Sequence, residues 1–156
     1  MTTLHLMVGL PCSGKTTYAK ELATKEQALL LSPDEWQHKL FGGVYYVSDD
    51  LDTLHTNIEL IMWDVAKKVL EMGVSVILDF GFWSKEERED FRNRAQQLNV
   101  HFKIHYMDTP KEELFRRLEE RNANITEDSI IIPPECLEEW STLFEAPSAD
   151  ELTDEE

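Results

Sequence analysis

The sequence predicts an α/β protein in which a parallel sheet is covered by helices on both faces. Short apolar runs alternate with longer segments of helical periodicity along its 156 residues. Such alternation is typical of parallel strands that are joined by crossover helices. The runs LHLMVGL and VSVILDFG show little polar alternation, as expected for strands that are buried on both faces. No internal repeat or linker divides the chain, so we expect one domain over residues 1–145.

Four strands and six helices are expected in chain order. Each predicted strand is a short run of apolar, β-branched or alternating residues. The strands are Leu4–Val8, Ala28–Ser32, Val74–Leu78 and Val100–Met107. The predicted helices carry apolar residues at a spacing close to 3.6. They are Lys15–Lys25, Pro33–Leu40, Asp50–Met72, Ser84–Leu98, Pro110–Asn122 and Pro134–Phe144.

Local signals support several of these bounds. Ser32 and Ser84 stand at N-cap positions, the first before a proline and the second three residues before Glu87. Two segments fit no regular element. Residues 44–47 are expected to form a loop or a lid, and residues 122–133 an irregular lid.

The formal net charge of −16 restricts the choice of partners. A surface this acidic repels nucleic-acid phosphates, so nucleic acid is not expected to bind. Part of the excess lies in residues 146–156, which are expected to form a frayed acidic tail. Neither an apolar span nor a basic leader is visible, so no membrane contact and a cytoplasmic location are expected. Cys12 and Cys136 are expected to be reduced and to bind no metal.

The stretch between the first strand and the first helix carries the clearest motif. Gly9-x-x-x-x-Gly14-Lys15-Thr16 is the phosphate-binding loop pattern, placed between a strand and a helix as that loop requires. Glycine allows the tight backbone that points successive N–H groups at phosphate oxygens. Lys15 is expected to reach the β and γ phosphates, and the Thr16 hydroxyl to bind Mg²⁺. The expected nucleotide contacts are Gly9, Pro11, Cys12, Ser13, Gly14, Lys15, Thr16 and Thr17.

Two carboxylates follow other predicted strands. Asp34 comes after the second strand and Asp79 ends the third. In an open α/β sheet, ligands collect outside the carboxyl ends of the strands, so both are expected to face the phosphates. One can hold Mg²⁺ and the other can accept a proton from an attacking hydroxyl. The alternatives are a dipole-stabilised residue of a first helical turn for Asp34 and a turn cap for Asp79.

Arginines are expected to supply positive charge at the transferring phosphate. Arg117 and Arg121 are four residues apart, hence on one helix face, and they precede the polar segment that is expected to be a lid. We expect both at the base of that lid. Arg116 is expected to pair with neighbouring glutamates on a solvated face, and such pairing is the alternative for the other two.

These stretches together resemble a known family. GLPCSGKTT, a strand followed by Ser-Pro-Asp34, ILDFGFWSKEERE, the arginine-rich helix and IIPPECLEEW are similar to P-loop kinases of the polynucleotide 5′-kinase, zeta toxin and chloramphenicol phosphotransferase type. The resemblance reaches about Pro147. It implies a three-layer P-loop NTPase fold of AAA type with strand order 2-3-1-4, and transfer of phosphate from ATP-Mg²⁺ to a hydroxyl. It makes Asp34 the general base, puts Asp79 near the metal and the acceptor, and gives Arg121 contact with the phosphates.

The acceptor side is less well defined by the sequence. In the polynucleotide kinases an arginine lies three residues beyond the base, where this chain has Gln37, with Lys39 as a weak substitute. Aromatic residues are expected near the acceptor, although ordinary core packing is the alternative. They are Trp36, Phe41, Tyr45, Tyr46 and Trp83. Aromatic walls with carboxylates suit a sugar-like or cationic molecule. Of the histidines, only His38 and His55 are expected near the site.

The expected function is therefore an ATP- and Mg²⁺-dependent kinase whose acceptor is a hydroxyl of a small, uncharged or cationic molecule. Its expected catalytic residues are Lys15, Asp34, Asp79 and Arg121, with Thr16 and Asp79 as metal ligands. The alternative of another class is an ATP-hydrolysing switch or interaction module that docks a partner through the acidic tail. Polynucleotide 5′-hydroxyls and nucleotide sugars are alternative acceptors, and the oligomeric state stays open.

Overall fold

The computed structural model describes residues 1–41, 49–124 and 132–153. Within these ranges four strands form one sheet. They are β1 (Thr3–Val8), β2 (Leu29–Leu31), β3 (Val76–Gly81) and β4 (His101–Tyr106). All neighbouring strands are parallel, and their order is β2-β3-β1-β4. The predicted α/β fold and its strand order are confirmed.

Six α-helices lie in the described ranges. They are α1 (Lys15–Glu26), α2 (Pro33–Phe41), α3 (Asp49–Glu71), α4 (Lys85–Gln97), α5 (Lys111–Ala123) and α6 (Pro134–Leu143). A short 3₁₀ helix follows at Ala149–Leu152. Most predicted bounds differ from these by one or two residues. The largest difference is β3, which begins and ends later than predicted, so that Asp79 lies inside the strand rather than at its end. None of the described helices is long and apolar enough to cross a membrane.

The core lies on both faces of the sheet because successive side chains of a strand point to opposite sides. Leu4, Leu6 and Leu78 pack with α3 and α4 on one face. Met7 and Ile77 pack against α1 on the other. All five side chains are 0% exposed. Each contributes about 1.5–3 kcal/mol by its removal from water. The carboxyl ends of the two central strands are therefore held on a rigid base.

The chain after α6 folds back onto the domain. Arg88 of α4 is 1% exposed. Its Nε donates to Glu151 Oε1 at 2.7 Å, and its Nη1 donates to the main-chain oxygens of Phe82 and Glu145, each at 2.9 Å. Burial would raise the pKa of Glu151, but hydrogen bonds from Arg88 and from the Ser148 main chain lower it below its usual range. The expectation of a frayed tail is therefore wrong for its described part, which ends at residue 153.

Candidate functional site

The loop between β1 and α1 has the backbone that its glycines predict. Gly14, with a φ of 95°, takes a left-handed conformation that costs glycine little. Cys12 lies in the same region with a φ of 68°, which is uncommon for a residue with a side chain. A Cβ atom on Gly9 would come within 2.7 Å of Ser13 Oγ. The two motif glycines are thus required by conformation at one position and by space at the other.

A cavity of about 450 Å³ opens at the N-terminus of α1, and we name it the basic cavity. Its described lining comes from the loop, α1, α2 and α5. The lining residues are Pro11, Cys12, Gly14, Lys15, Thr16, Thr17, Lys20, Ser32, Asp34, Glu35, Arg117 and Arg121. Four of these side chains are basic and two are acidic. The first N–H groups of a helix have no partners within the helix, and they add positive partial charge. The cavity is suited to a polyanion such as a chain of phosphates.

Two arginines of α5 contact the loop between β1 and α1. Arg117 donates from Nη1 to the main-chain oxygen of Cys12 at 3.1 Å and from Nε to Glu113 at 2.9 Å. Arg121 Nη1 lies 3.8 Å from Cys12 Sγ. Arg116 instead pairs with Glu113 and Glu120 on the outer face, which confirms the expected solvated pairing. The four-residue spacing thus places Arg117 and Arg121 together at the loop, whereas Arg116 faces solvent.

Asp79 stands at the floor of the site. Its Oδ2 accepts hydrogen bonds from Thr16 Oγ1 at 2.8 Å and from Ser32 Oγ at 3.0 Å. Its Oδ1 is buried and has no hydrogen-bond partner among the described residues. Burial raises the pKa of Asp79, although Lys15 and the two hydroxyl donors oppose that rise. Ser32, the residue before α2, therefore uses its hydroxyl proton to hold Asp79.

The residues present fit a magnesium ion. A buried carboxylate oxygen without a partner is rare, and hard cations prefer oxygen ligands of this kind. Asp79 Oδ1 is such an oxygen. The Thr16 hydroxyl offers a second oxygen beside it, since Thr16 donates to Asp79 Oδ2. Thr16 lines the basic cavity and Asp79 the acidic one. In the described ranges no group of three or more His, Cys, Asp or Glu side chains is arranged to hold a metal by itself. A bound ion would thus take its remaining ligands from phosphate or water.

A second cavity, of about 400 Å³, adjoins the first, and we name it the acidic cavity. Its described lining comes from the loop before α1, the start of α1, α2, α3, the end of β3, the turn after it, α4, and the residues from 132 through α6. The lining residues are Pro11, Lys15, Pro33, Asp34, Asp52, His55, Thr56, Glu59, Asp79, Phe80, Gly81, Phe82, Trp83, Glu87, Ile132, Trp140 and Leu143. Five of them are carboxylates and four are aromatic. Lys15 and Asp34 line both cavities, so the two spaces meet at these side chains.

A chain of polar contacts forms the α2–α3 wall of the acidic cavity. Gln37, 2% exposed, accepts a hydrogen bond from His55 Nδ1 at 2.8 Å. His55 Nε2 lies 3.0 Å from Glu59. Burial lowers the pKa of His55, but Glu59, Asp34 and Asp52 together raise it above its usual value. The Gln37 side chain is buried and bonded to His55. It therefore does not replace the arginine that binds a substrate phosphate in the polynucleotide kinases.

The turn from β3 to α4 forms another wall and has an unusual backbone. Phe82 is 1% exposed and has a φ of 46°, in a region that bulky residues rarely adopt. Arg88 holds the Phe82 oxygen, and Glu145 N donates to the Trp83 oxygen at 2.8 Å. Trp83 Nε1 in turn donates to the Gly9 oxygen at 3.3 Å. Strained residues persist where their surroundings over-determine them, often at functional sites.

Most of the predicted contacts meet at the two cavities. Lys15, Asp34, Asp79 and Arg121 are brought together, whereas Gly9 and Ser13 shape the loop without lining the basic cavity. Of the predicted aromatic residues that the structure describes, Trp83 alone lines the acidic cavity. Trp36 packs against the core, which was the alternative for these residues, and Phe41 is 49% exposed; neither lines the acidic cavity. Tyr45, Tyr46 and most of the predicted lid lie outside the described residues.

Several lining residues were missed by sequence reasoning. Lys20, Ser32, Glu59, Glu87 and Trp140 line one cavity or the other. Lys20 lies one helical turn beyond Thr16, a spacing that could have identified it. The others carry no local signal, because they come from separate elements that only the fold brings together. Lys39 pairs with Glu35 at 3.0 Å and lines neither cavity. His38 lines neither cavity, whereas His55 lines the acidic one.

The fold and the loop together define a P-loop nucleotide-binding domain of the α/β type. The model of the family described as AAA domain matches residues 4–147, so the chain belongs to this family. No curated protein matches the sequence significantly.

Several solved structures share the fold. A chain of the Pnkp1/Rnl/Hen1 RNA repair complex is similar at 23% identity and a TM-score of 0.73, over 91% of this chain and 43% of that one. A candidate kinase from Chloroflexus aurantiacus J-10-fl is 21% identical with a TM-score of 0.71, over 88% and 73%. Kti12 of Chaetomium thermophilum, in complex with ADP-AlF3, is 21% identical with a TM-score of 0.69, over 93% and 81%. This chain spans less than half of the RNA repair chain. The predicted membership in a P-loop kinase family is confirmed.

Proposed function

We propose that the chain is an ATP- and Mg²⁺-dependent phosphotransferase that moves the γ-phosphate to a hydroxyl of a small, uncharged or cationic acceptor. The observation that supports this most is the position of Asp34. It is exposed, it lies in the first turn of α2, and it lines both cavities. A base for phosphoryl transfer must lie within reach of the acceptor hydroxyl and beside the phosphate.

Each part of the basic cavity then has a role. The loop from Gly9 to Thr17 and the N-terminus of α1 bind the phosphates through main-chain N–H groups. Lys15, Arg117 and Arg121 offset the charge of the phosphates. Mg²⁺, when bound, would be held by Thr16 and Asp79, and it would neutralise charge on the phosphate oxygens. Thr16 and Arg117 are already held by hydrogen bonds to Asp79, Cys12 and Glu113, and such preorganisation favours electrostatic stabilisation of a transition state.

The transfer step follows from the meeting of the two cavities. The acceptor lies in the acidic cavity with its hydroxyl against Asp34. The hydroxyl oxygen forms a bond to the γ-phosphorus while the bond from that phosphorus to the β–γ bridging oxygen breaks. The hydroxyl proton passes to the Asp34 carboxylate, and ADP leaves. Positioning and charge stabilisation dominate such reactions because little covalent chemistry is required of the protein.

A switch that docks a partner through the acidic tail has less support. Described tail residues as far as Glu151 are engaged with the domain itself, through Arg88 and the Trp83 main chain. The Asp34 carboxylate, placed between two cavities, has no evident task in a switch that only hydrolyses ATP. We therefore favour the kinase.

The test is transfer of labelled γ-phosphate from ATP-Mg²⁺ to a panel of acceptors. The panel holds nucleosides, sugars, aminoglycosides, nucleotide sugars and 5′-hydroxyl oligonucleotides, with Lys15→Ala as the blank. Asp34→Asn should lower the transfer rate by about 10²–10⁴-fold while ATP binding survives. Asp64→Asn, at an exposed position of α3, removes the same charge and should leave the rate unchanged. Undiminished transfer by the Asp34 variant would contradict the assigned base.

A further inference from the structure

The acidic cavity contains a carboxylate that the described protein leaves without a partner. Glu87 lies in the first turn of α4 and lines this cavity. Its main-chain N–H donates to Ser84 Oγ at 3.1 Å. Across residues 1–41, 49–124 and 132–153, its side chain accepts no hydrogen bond and forms no ion pair. Partial burial of an unpaired charge is unfavourable, so the position requires a functional or structural reason.

A second carboxylate in the cavity makes the negative charge of Glu87 still less favourable. Glu59 of α3 lines the same cavity. Burial, followed by the negative charge of Glu59, raises the pKa of Glu87 to about 7. Asp90 adds to this rise, while Arg88 and Arg94 oppose it. Both arginines are already engaged in other ion pairs. The local excess of negative charge is therefore not neutralised by the neighbouring helix.

The remaining cations of the cavity have other partners or another position. His55 is held by Gln37 on one side and by Glu59 on the other. Lys15 lies at the junction with the basic cavity, where phosphate is expected. Among the described lining residues, these are the two that can carry positive charge, against five carboxylates. A ligand that brings its own positive charge would complete this half of the site.

The aromatic residues of the cavity suit such a ligand. The ring centroids of Trp83 and Trp140 are 5.6 Å apart, and the two planes are inclined by 46°. Phe80 and Phe82 line the same space. Indole and phenyl faces attract ammonium groups through their quadrupoles, and tryptophan does so best. Aromatic side chains that line a cavity are a recognised arrangement for binding alkylated ammonium groups.

We propose that the acidic cavity recognises a cation, so that the natural acceptor is an amino alcohol, an amino sugar or a related ammonium compound. Its positive group lies against Glu87, Glu59 and the indole rings, and its hydroxyl faces Asp34. The role of the hydroxyl rests on the proposed phosphotransfer. Recognition of the positive group stands on the cavity alone and is tested without turnover.

The test compares three small probes that differ in charge. Choline carries a permanent positive charge, 3,3-dimethylbutan-1-ol is its neutral isostere, and 3-hydroxypropanoate is an anion. Binding is measured by calorimetry and by tryptophan fluorescence, with the protein saturated by Mg²⁺ and a non-hydrolysable ATP analogue. Choline should bind about 10-fold more tightly than the neutral isostere, and the anion should bind most weakly. Equal affinities, a preference for either other probe, or no binding of choline would overturn the proposal.

Variants locate the preference within the cavity. Glu87→Gln and Glu59→Gln should each remove most of the preference for choline over its isostere, while Glu86→Gln, exposed on the same helix turn, should keep it. Choline does not titrate, so the pH dependence of its binding reports on the protein. Its affinity should rise between pH 6 and 8, as Glu87 and His55 lose their protons. The rise should be smaller in Glu87→Gln, where only the contribution of His55 remains. A preference that survives in the double Glu59/Glu87 variant would overturn the assignment.

Failure of this inference is distinguishable from failure of the proposed function. Selective binding of choline without transfer of labelled phosphate to any hydroxyl compound would contradict the kinase and leave cation recognition in place. Transfer to neutral sugars, with no preference for their amino analogues, would support the kinase and contradict cation recognition.

Discussion

The two cavities share Lys15 and Asp34 but differ in almost every other respect. The basic cavity is built from one continuous loop, the start of one helix and two arginines of another. The acidic cavity is assembled from α2, α3, the β3–α4 turn and α6, and it carries five carboxylates. Phosphate is a common ligand that main-chain N–H groups can bind, so its site follows a local motif. The acceptor is particular to each enzyme, so its site depends on side chains that only tertiary structure brings together.

The largest effect is expected from the basic cavity. Lys15→Ala should reduce phosphate transfer by about 10³-fold or more, because a fixed charge aimed at the transferring group is lost. Binding of choline to the acidic cavity should not weaken, because Lys15 adds a positive charge at the edge of that cavity and its removal lowers repulsion. Rate measurements and calorimetry on the same variant check both. A parallel loss of choline binding would show that the two cavities are not separable.

The wall of the acidic cavity at the β3–α4 turn is expected to need the Arg88–Glu151 ion pair for its stability, whereas the basic cavity is not. Glu151→Ala should cost about 3–5 kcal/mol of unfolding free energy, because it leaves the Arg88 guanidinium buried without its partner. Chemical denaturation measures this cost. Asp150→Ala, at the exposed neighbouring position, is the control and should change stability little. Where the variant remains folded, loss of choline binding with retained nucleotide binding would sharpen the difference between the walls.

The two faces of α5 allow a third comparison. Arg121→Ala should lower the transfer rate by about 10²-fold, since it removes a cation beside the loop. Arg116→Ala removes an identical side chain that pairs with Glu113 and Glu120 in solvent, and it should change the rate by less than about 2-fold. Steady-state kinetics of the two variants side by side decide the matter. Similar losses in both would mean that charge on the helix, and not position, is responsible.

The smallest effect concerns the pH dependence of stability. The folded pKa of Glu87, about 7, lies above its ordinary value of 4.5, so the folded state holds a proton that the unfolded state has released. The associated stability is fully present below pH 4.5 and is lost as the pH rises through 7. Glu87→Gln should therefore match the wild type near pH 4.5 and exceed it by about 1 kcal/mol, or 2–4 °C in Tm, at pH 8. Melting curves of this variant and of Glu86→Gln across the pH range test the assignment, and equal behaviour of both would refute it.

The contrast between a local motif and a site assembled from separate elements also explains which features could be predicted from the sequence. The α/β fold and the position of the phosphate-binding loop between a strand and a helix were predictable, because apolar periodicity and a contiguous motif determine them. The strand order came from the resemblance to P-loop kinases. The positions of Arg117 and Arg121 followed from helical spacing. Glu59 and Glu87 were not predictable, since both stand in charged helices where most such residues are solvated. Arg88 and Glu151 were missed for a related reason, because their burial depends on a contact across 63 residues.

The long reach of that contact also sets an order of events during protein synthesis. The loop that binds phosphate emerges from the ribosome early, whereas Glu151 follows Arg88 by 63 residues. At translation rates of about 5–20 residues per second, this interval is roughly 3–13 s. During that time Arg88 and the turn at Phe82 and Trp83 lack the hydrogen bonds that Glu145 and Glu151 supply. A nascent chain can therefore complete its phosphate-binding loop seconds before the tail fixes the β3–α4 wall of the acidic cavity.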